Sequence, residues 1–218
     1  MRPWMLEAPP LDLPEGVVRE FRAALDGRDL ARLPAAAPRW TFLAWLAGEG
    51  WLLHGSPTAD LPELIPQHKD YAQPDDFSNT RGVYAASDGL WAMMYALTPP
   101  GTNRSDMALR LRHPDGSWSG TRYFYSLGGP AGADGRALLR PGVVYVLGSE
   151  GFTPSPAYHH PGLGFVQEGH WVNPAPVRPV LAVPVAPGDF PLPVRVHDPA
   201  GVRLRAQLDP WGFPWLEE

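Results

Sequence analysis

The pattern that decides the fold is a pair of stretches, LLHGS at residues 52–56 and GVYAASDGLWAMMYAL at residues 82–97. The first is a short apolar run that ends at a glycine, which is typical of a strand entering a turn. The second begins as a strand over 82–86 and then reaches Ser87, a residue type that caps helices, so a helix is predicted over 88–97. The pattern therefore predicts a strand, a loop, a second strand and a capped helix in that order.

The sequence before this pair is predicted to be helical. Apolar residues recur at helical spacing over 14–27, and a second short helix is predicted over 41–47. We therefore expect an N-terminal helical segment over residues 1–48, packed on a main domain that spans residues 49–218.

The sequence after the first of the two stretches combines a loop with many short strands. Residues 57–80 are rich in proline, aspartate and glutamine, and we expect them to form a long surface loop. Apolar or alternating runs predict further strands over 107–113, 123–127, 143–147, 171–173, 180–185 and 202–204. Helices first and strands later predict an α+β domain.

Composition excludes several classes of function. The formal net charge of −5 argues against electrostatic binding to nucleic acid or to anionic lipid. The chain contains no cysteine, which excludes disulfides, thiolate metal sites and a cysteine nucleophile. No apolar stretch is long enough for a membrane helix, and the N-terminus lacks the apolar core of a signal peptide. We expect a cytoplasmic protein, and the single lysine, Lys69, among 18 basic residues favours a GC-rich bacterial source.

Other catalytic and metal-binding motifs are not found. The sequence has no Gly-x-Ser-x-Gly nucleophile motif, no phosphate-binding loop and no Gly-x-Gly-x-x-Gly dinucleotide motif. His159 and His160 are adjacent, and neighbouring side chains on a strand point to opposite faces, so they do not suit a shared metal ion. We therefore expect no metal site.

The two stretches resemble the signature of the ADP-ribosyltransferase superfamily, in particular the branch of the poly-ADP-ribose polymerases and diphtheria-type toxins. In that branch one strand ends in His-Gly-Ser or His-Gly-Thr, and Gly-x-Tyr-Phe-Ala is followed by a second tyrosine eleven positions after the first. His54, Gly55 and Ser56 match the first motif, and Tyr84 and Tyr95 have the spacing of the second. The resemblance implies an ADP-ribosyltransferase-like fold of split antiparallel sheets with flanking helices, and NAD as the cofactor that is consumed.

The resemblance also implies a role for each matching residue. His54 is expected to hydrogen-bond the nicotinamide ribose, and the backbone of Gly55 to bond the carboxamide, an approach that a Cβ atom would obstruct. Ser56 is expected to cap the turn or contact the ribose. Tyr84 is expected to line the nicotinamide pocket and Tyr95 to stack on the cationic ring, where aromatic faces add cation–π attraction.

The sequence departs from the family at the catalytic carboxylate. Active members of the branch carry a glutamate directly before an aromatic residue on a late strand, whereas this chain has His170 before Trp171. Glu168 lies two residues earlier and shares a strand face with His170 if the strand is regular. Three interpretations remain: Glu168 is the catalytic acid together with His54, His170 replaces it with altered chemistry, or the domain binds a nucleotide without transferring anything.

The leading hypothesis from the sequence is an NAD-dependent transferase that releases nicotinamide and passes ADP-ribose to an unknown acceptor, which is a protein, a nucleic acid or water. The alternative is a catalytically inactive nucleotide-binding or protein-interaction domain on the same fold. A third hypothesis, an RNA 2′-phosphotransferase, requires several arginines to converge on phosphates. The available arginines are Arg81, Arg104, Arg110, Arg112 and Arg122.

Overall fold

The computed structural model describes residues 2–68 and 77–216, which form two six-stranded sheets with helices packed on them. The strands are β1 (Leu6–Glu7), β2 (Leu52–Ser56), β3 (Val83–Ala86), β4 (Arg104–Leu111), β5 (Arg122–Gly128), β6 (Gly142–Leu147), β7 (Thr153–Pro154), β8 (Tyr158–His160), β9 (Gly164–Glu168), β10 (His170–Asn173), β11 (Leu181–Val185) and β12 (Arg195–His197). The α-helices are α1 (Glu15–Gly27), α2 (Arg39–Gly48), α3 (Gly89–Leu97), α4 (Gly135–Leu138) and α5 (Pro199–Leu208). The predicted α+β class is therefore confirmed.

The two sheets differ in their strand order. The first sheet runs β1-β5-β4-β9-β8, with β12 also paired to β5, and the second runs β11-β6-β2-β3-β10-β7. Pairing is antiparallel throughout except between β12 and β5, which are parallel. The chain passes directly from β9 in the first sheet to β10 in the second, so the two sheets meet at this crossing.

Helix α3 packs on the second sheet, over β2 and β6, and α2 packs in turn on α3. Phe21 of α1 and Phe42 of α2 lie in the same buried cluster as Met93 and Met94 of α3. The N-terminal helices thus share their core with the rest of the chain, and β1 adds a strand to this segment that the sequence did not predict. The boundary between residues 48 and 49 stays a prediction.

Most strands and helices lie where the sequence predicts them, but the predicted strand over 202–204 is wrong. These residues belong to α5, where the Asp198 side chain accepts hydrogen bonds from the backbone N–H groups of Ala200 and Gly201. Pro199 occupies the first helical position, where a missing N–H costs nothing. The start signals were present in the sequence, and a three-residue apolar alternation was too short to outweigh them.

Two further predictions need correction. The cap of α3 is Asp88 rather than Ser87, because the Asp88 carboxylate accepts from the backbone N–H of Trp91 at 2.9 Å. The predicted surface loop over 57–80 is anchored in the part that the structure describes: Leu64 is buried and forms a β-bridge with Val177. Residues 69–76 of that loop lie outside the described residues.

Candidate functional site

A cavity of about 650 Å³ lies against β2, β3, β4 and α3, close to the crossing between the two sheets. The structure brings all the residues predicted as site residues to its walls. They are His54, Gly55, Ser56, Tyr84, Tyr95, Glu168 and His170. They come from three stretches of the chain, 52–56, 82–97 and 168–170, which the fold brings together.

The first wall is the pair of strands β2 and β3, which places His54 beside Tyr84. Alternation along β2 turns Leu53 into the main core and leaves His54 on the cavity side, half-buried. The His54 Nδ1 atom lies 2.6 Å from the backbone oxygen of Tyr84, so this nitrogen carries the proton of the bond. That bond fixes the imidazole ring at the strand end, on the wall of the cavity.

Gly55 lets α3 approach the second sheet. A Cβ atom on Gly55 would lie 1.8 Å from the backbone oxygen of Ala92 in α3. Gly142 on the neighbouring strand β6 has the same function, because its Cβ would lie 2.0 Å from the oxygen of Ala96. The packing of α3 thus requires a glycine at position 55, and the expected contact of its backbone with a carboxamide stays a prediction.

The hydroxyl groups of Ser56 and Tyr84 are engaged within the protein. The Ser56 Oγ atom accepts from the backbone N–H of Thr58 at 3.1 Å, which closes a local turn. The Tyr84 hydroxyl lies 2.6 Å from the backbone oxygen of Thr80 and 2.9 Å from that of Phe77. Tyr84 thus holds the end of the loop before β3 while its ring remains on the cavity wall.

Glu168 and His170 lie on different strands, so the condition of one regular strand, under which the two would share a face, is not met. Glu168 ends β9 and pairs with Leu109 of the first sheet, whereas His170 begins β10 and pairs with Ala86 of the second. Gly169 is the crossing residue, and its backbone oxygen accepts from Ser87 N–H at 2.8 Å. The two side chains nevertheless meet at the cavity, because both strand ends converge there.

The Glu168 carboxylate is held on both oxygens. Its Oε1 accepts from the Tyr158 hydroxyl at 3.0 Å, and its Oε2 lies 3.2 Å from His170 Nδ1 without the angle of a hydrogen bond. The His170 ring stacks on Trp91, with ring centroids 3.9 Å apart and planes 22° apart. With 22 % of its side chain exposed, Glu168 remains accessible from the cavity while its orientation is set by its neighbours.

Tyr95 is covered by a cation that the sequence analysis did not assign to the site. The guanidinium carbon of Arg104 lies 3.6 Å from the centre of the Tyr95 ring, and Arg104 Nε donates to Asp106. Asp106 also accepts from the indole N–H of Trp91 at 2.7 Å. Local spacing places Arg104 and Asp106 on one strand face and makes Trp91 and Tyr95 neighbours on the helix, but it does not show that the two pairs meet.

The N-terminus of α3 is fixed by a hydrogen bond between Asp88 and Tyr123, whose oxygens lie 2.6 Å apart. Burial raises the pKa of Asp88, and the hydrogen bonds from Tyr123 and from the Trp91 N–H partly oppose this effect. Burial and the nearby Asp88 charge also raise the pKa of Tyr123, so its hydroxyl stays protonated and donates. This contact positions the helix that carries Trp91 and Tyr95.

Comparison with protein-family models, with curated proteins and with solved structures gives no match to this chain. Function is therefore inferred from the cavity and its residues.

The described residues also bear on three other expectations. Of the five arginines named for phosphate binding, Arg104 alone lines the cavity, and it is paired with Asp106; the arginines therefore do not converge as the third hypothesis requires. Within residues 2–68 and 77–216, no group of three or more histidines or carboxylates is placed to hold a metal ion. Within the same ranges, no helix has the length and apolar character needed to cross a bilayer.

Aromatic rings, an imidazole, a positioned carboxylate and the backbone of β2 all line this one cavity. Its volume falls in the range of about 300–1,000 Å³ typical of small-molecule sites. A flat ring that stacks on the face of Tyr95 covered by Arg104 must displace the guanidinium.

Proposed function

We propose that the cavity binds NAD and that the protein cleaves the bond between nicotinamide and ribose, transferring ADP-ribose to an acceptor. The single observation that supports this best is the convergence of His54, Tyr84, Tyr95 and Glu168 on one cavity. Two of these residues come from strands, one from a helix and one from a sheet crossing, and ordinary core packing does not require them to meet.

His54 is proposed to orient the ribose from the cavity wall, where the bond between its Nδ1 and the backbone oxygen of Tyr84 fixes the ring. The backbone of β2 at Gly55 is proposed to bond the carboxamide. Tyr84 and Tyr95 are proposed to hold the ring by their faces. Such positioning reduces the entropic part of the barrier before any bond changes.

Glu168 is the proposed catalytic carboxylate. As the bond from ribose C1′ to the pyridinium nitrogen breaks, its electron pair passes to that nitrogen and neutral nicotinamide leaves. The carboxylate stabilises the positive charge that develops on the ribose. A lone pair of the acceptor then forms the new bond to C1′, and the acceptor's proton passes to the carboxylate. The Tyr158 hydroxyl holds the carboxylate in place during these steps.

The experiment is a nicotinamide-release assay with NAD, read by chromatography, on the wild type and on Glu168→Gln. Removing a preorganised stabilising group of this kind costs about 10²–10³-fold in kcat, so the variant should release nicotinamide at least about a hundredfold more slowly. The matched control is Glu20→Gln, which changes an exposed carboxylate on α1 to an amide and should leave the rate unchanged. Equal rates for wild type and Glu168→Gln would refute the assignment of Glu168.

A second candidate function is nucleotide binding without transfer. The observation that favours it is the engagement of both Glu168 oxygens, by Tyr158 and against His170, which leaves the carboxylate less available as a base. Calorimetry separates the two candidates: binding of NAD with no release of nicotinamide over hours identifies a binding domain. Failure to bind NAD at millimolar concentration would exclude both.

A further inference from the structure

Arg104 occupies the place that the proposed function gives to the ligand's cationic ring. Its guanidinium carbon lies 3.6 Å from the centre of the Tyr95 ring, a distance at which a cation is attracted by the aromatic face. Its side chain is only 17 % exposed, so water weakens this contact little. The face of Tyr95 that Arg104 covers therefore already holds a positive charge supplied by the protein.

The Arg104 guanidinium is also held by Asp106, which in turn is bonded to Trp91. Arg104 and Asp106 lie two residues apart on β4, share a face of the strand and form an ion pair, and the Asp106 side chain is only 10 % exposed. The second oxygen of Asp106 accepts from Trp91, which lies one helical turn before Tyr95 on α3. The guanidinium is thus anchored between a strand and a helix by a largely buried carboxylate.

We propose that Arg104 determines which ring charge the site accepts, by acting as an internal competitor for the face of Tyr95. A cationic nicotinamide ring must displace Arg104 to reach this face and is repelled by the guanidinium if it does not. A neutral flat ring has no such conflict, because guanidinium groups stack on planar rings. The inference rests on the proposed function, and it adds that NAD binds at the cost of displacing Arg104 from Tyr95, a cost that a neutral ring does not meet.

The test compares two dinucleotides that differ in ring charge. The probes are carbocyclic NAD, whose pyridinium is cationic and whose bond to the ring is not hydrolysed, and NADH, whose ring is neutral. Calorimetry gives the affinity of each for the wild type and for Arg104→Gln, in which an amide still donates to Asp106 but carries no charge. A desolvated cation–π contact corresponds to about a tenfold effect or more, so the ratio of carbocyclic NAD to NADH affinity should rise about tenfold in the variant.

Two controls separate charge from packing. Arg104→Lys keeps the positive charge, so its affinity ratio should stay within about threefold of the wild type. In a Tyr95→Leu background the aromatic face is absent, and Arg104→Gln should then change the ratio much less; the difference measures the coupling between the two side chains. Circular dichroism melts check that each variant is folded. If Arg104→Gln does not fold, Arg104→Lys and Tyr95→Leu together still test the inference.

The outcomes distinguish this inference from the function on which it rests. A rise in the ratio for Arg104→Gln that is absent in Arg104→Lys supports it. Binding of both probes with an unchanged ratio in Arg104→Gln overturns it and leaves NAD binding intact. If neither dinucleotide binds to any variant, the proposed function fails, and the inference fails with it.

Discussion

Replacing Gly55 by alanine should destabilise the protein strongly, because the added methyl group has no space. An ideal Cβ at this position lies 1.8 Å from the backbone oxygen of Ala92 and 2.8 Å from the backbone nitrogen of Ala96. Both are helix backbone atoms, so no side-chain rotation relieves the contact. Bringing the closest contact to 3.0 Å, the shortest that real Cβ atoms show, requires α3 to move from β2 by about 1.2 Å.

Overpacking of a well-filled interior costs about 1–3 kcal/mol, and a backbone contact this short belongs at the upper end or beyond it. For a chain of this size, about 3 kcal/mol lowers Tm by about 6–12 °C. Urea unfolding followed by circular dichroism measures the free energy directly. The displacement of α3 should also shift Tyr95 and weaken the proposed binding of NAD.

The matched control is Gly148→Ala. A Cβ at Gly148 meets no atom within 4 Å, and its backbone is not in the left-handed region, so the change in stability should stay within about 0.5 kcal/mol. If Gly55→Ala is as stable as this control but loses NAD binding, the glycine is required by the ligand rather than by the helix. That result would refute the packing explanation.

Two further predictions concern pH dependence and catalysis. Burial lowers the pKa of His197, although the Asp198 charge partly opposes this. The folded state therefore resists a proton that the unfolded chain takes up near pH 6.5. This contribution to stability is present above that pH and is lost as pH falls toward the folded pKa, by at most about 1.4 kcal/mol per pH unit. Urea unfolding at pH 7.5 and 5.5 should therefore show a smaller pH effect in His197→Asn than in the wild type, and an equal effect would contradict the assignment. In the proposed reaction, Tyr158→Phe removes the hydroxyl that donates a hydrogen bond to Glu168. The variant should lower kcat about tenfold with little change in KM, since a hydrogen bond to a charged group contributes about 1.5–3 kcal/mol. An unchanged kcat would show that Tyr158 does not position the carboxylate.

Local sequence patterns were enough to predict much of the secondary structure. The apolar runs of β2 and β6 and the helical spacing of α1 are decided by residues close together in the chain, and the structure confirms them. The strands β8, β9 and β12 were missed, because they are short and contain glycine or polar residues. β9 pairs with β4 and β12 pairs with β5, and these partners lie outside any local window, whereas β8 pairs with β9.

The candidate site was only partly readable from the sequence. The two motifs named His54, Tyr84 and Tyr95, and the structure places all three at one cavity, although their roles stay predictions. Arg104 was considered as a phosphate ligand, whereas it stacks on Tyr95. That contact joins a strand to a helix through a side-chain direction, and sequence spacing does not specify it.

By itself, the sequence determined the α+β class, the positions of most strands and helices, and the residues worth examining. These properties follow from hydrophobic period, caps and turn residues, which act over a few positions. The tertiary structure alone decided that Glu168 and His170 belong to different sheets, that Gly55 serves the approach of α3, and that Tyr95 is covered by an internal cation. Each of these depends on close packing between segments remote in the chain, where shifts of about 1 Å change which atoms can touch.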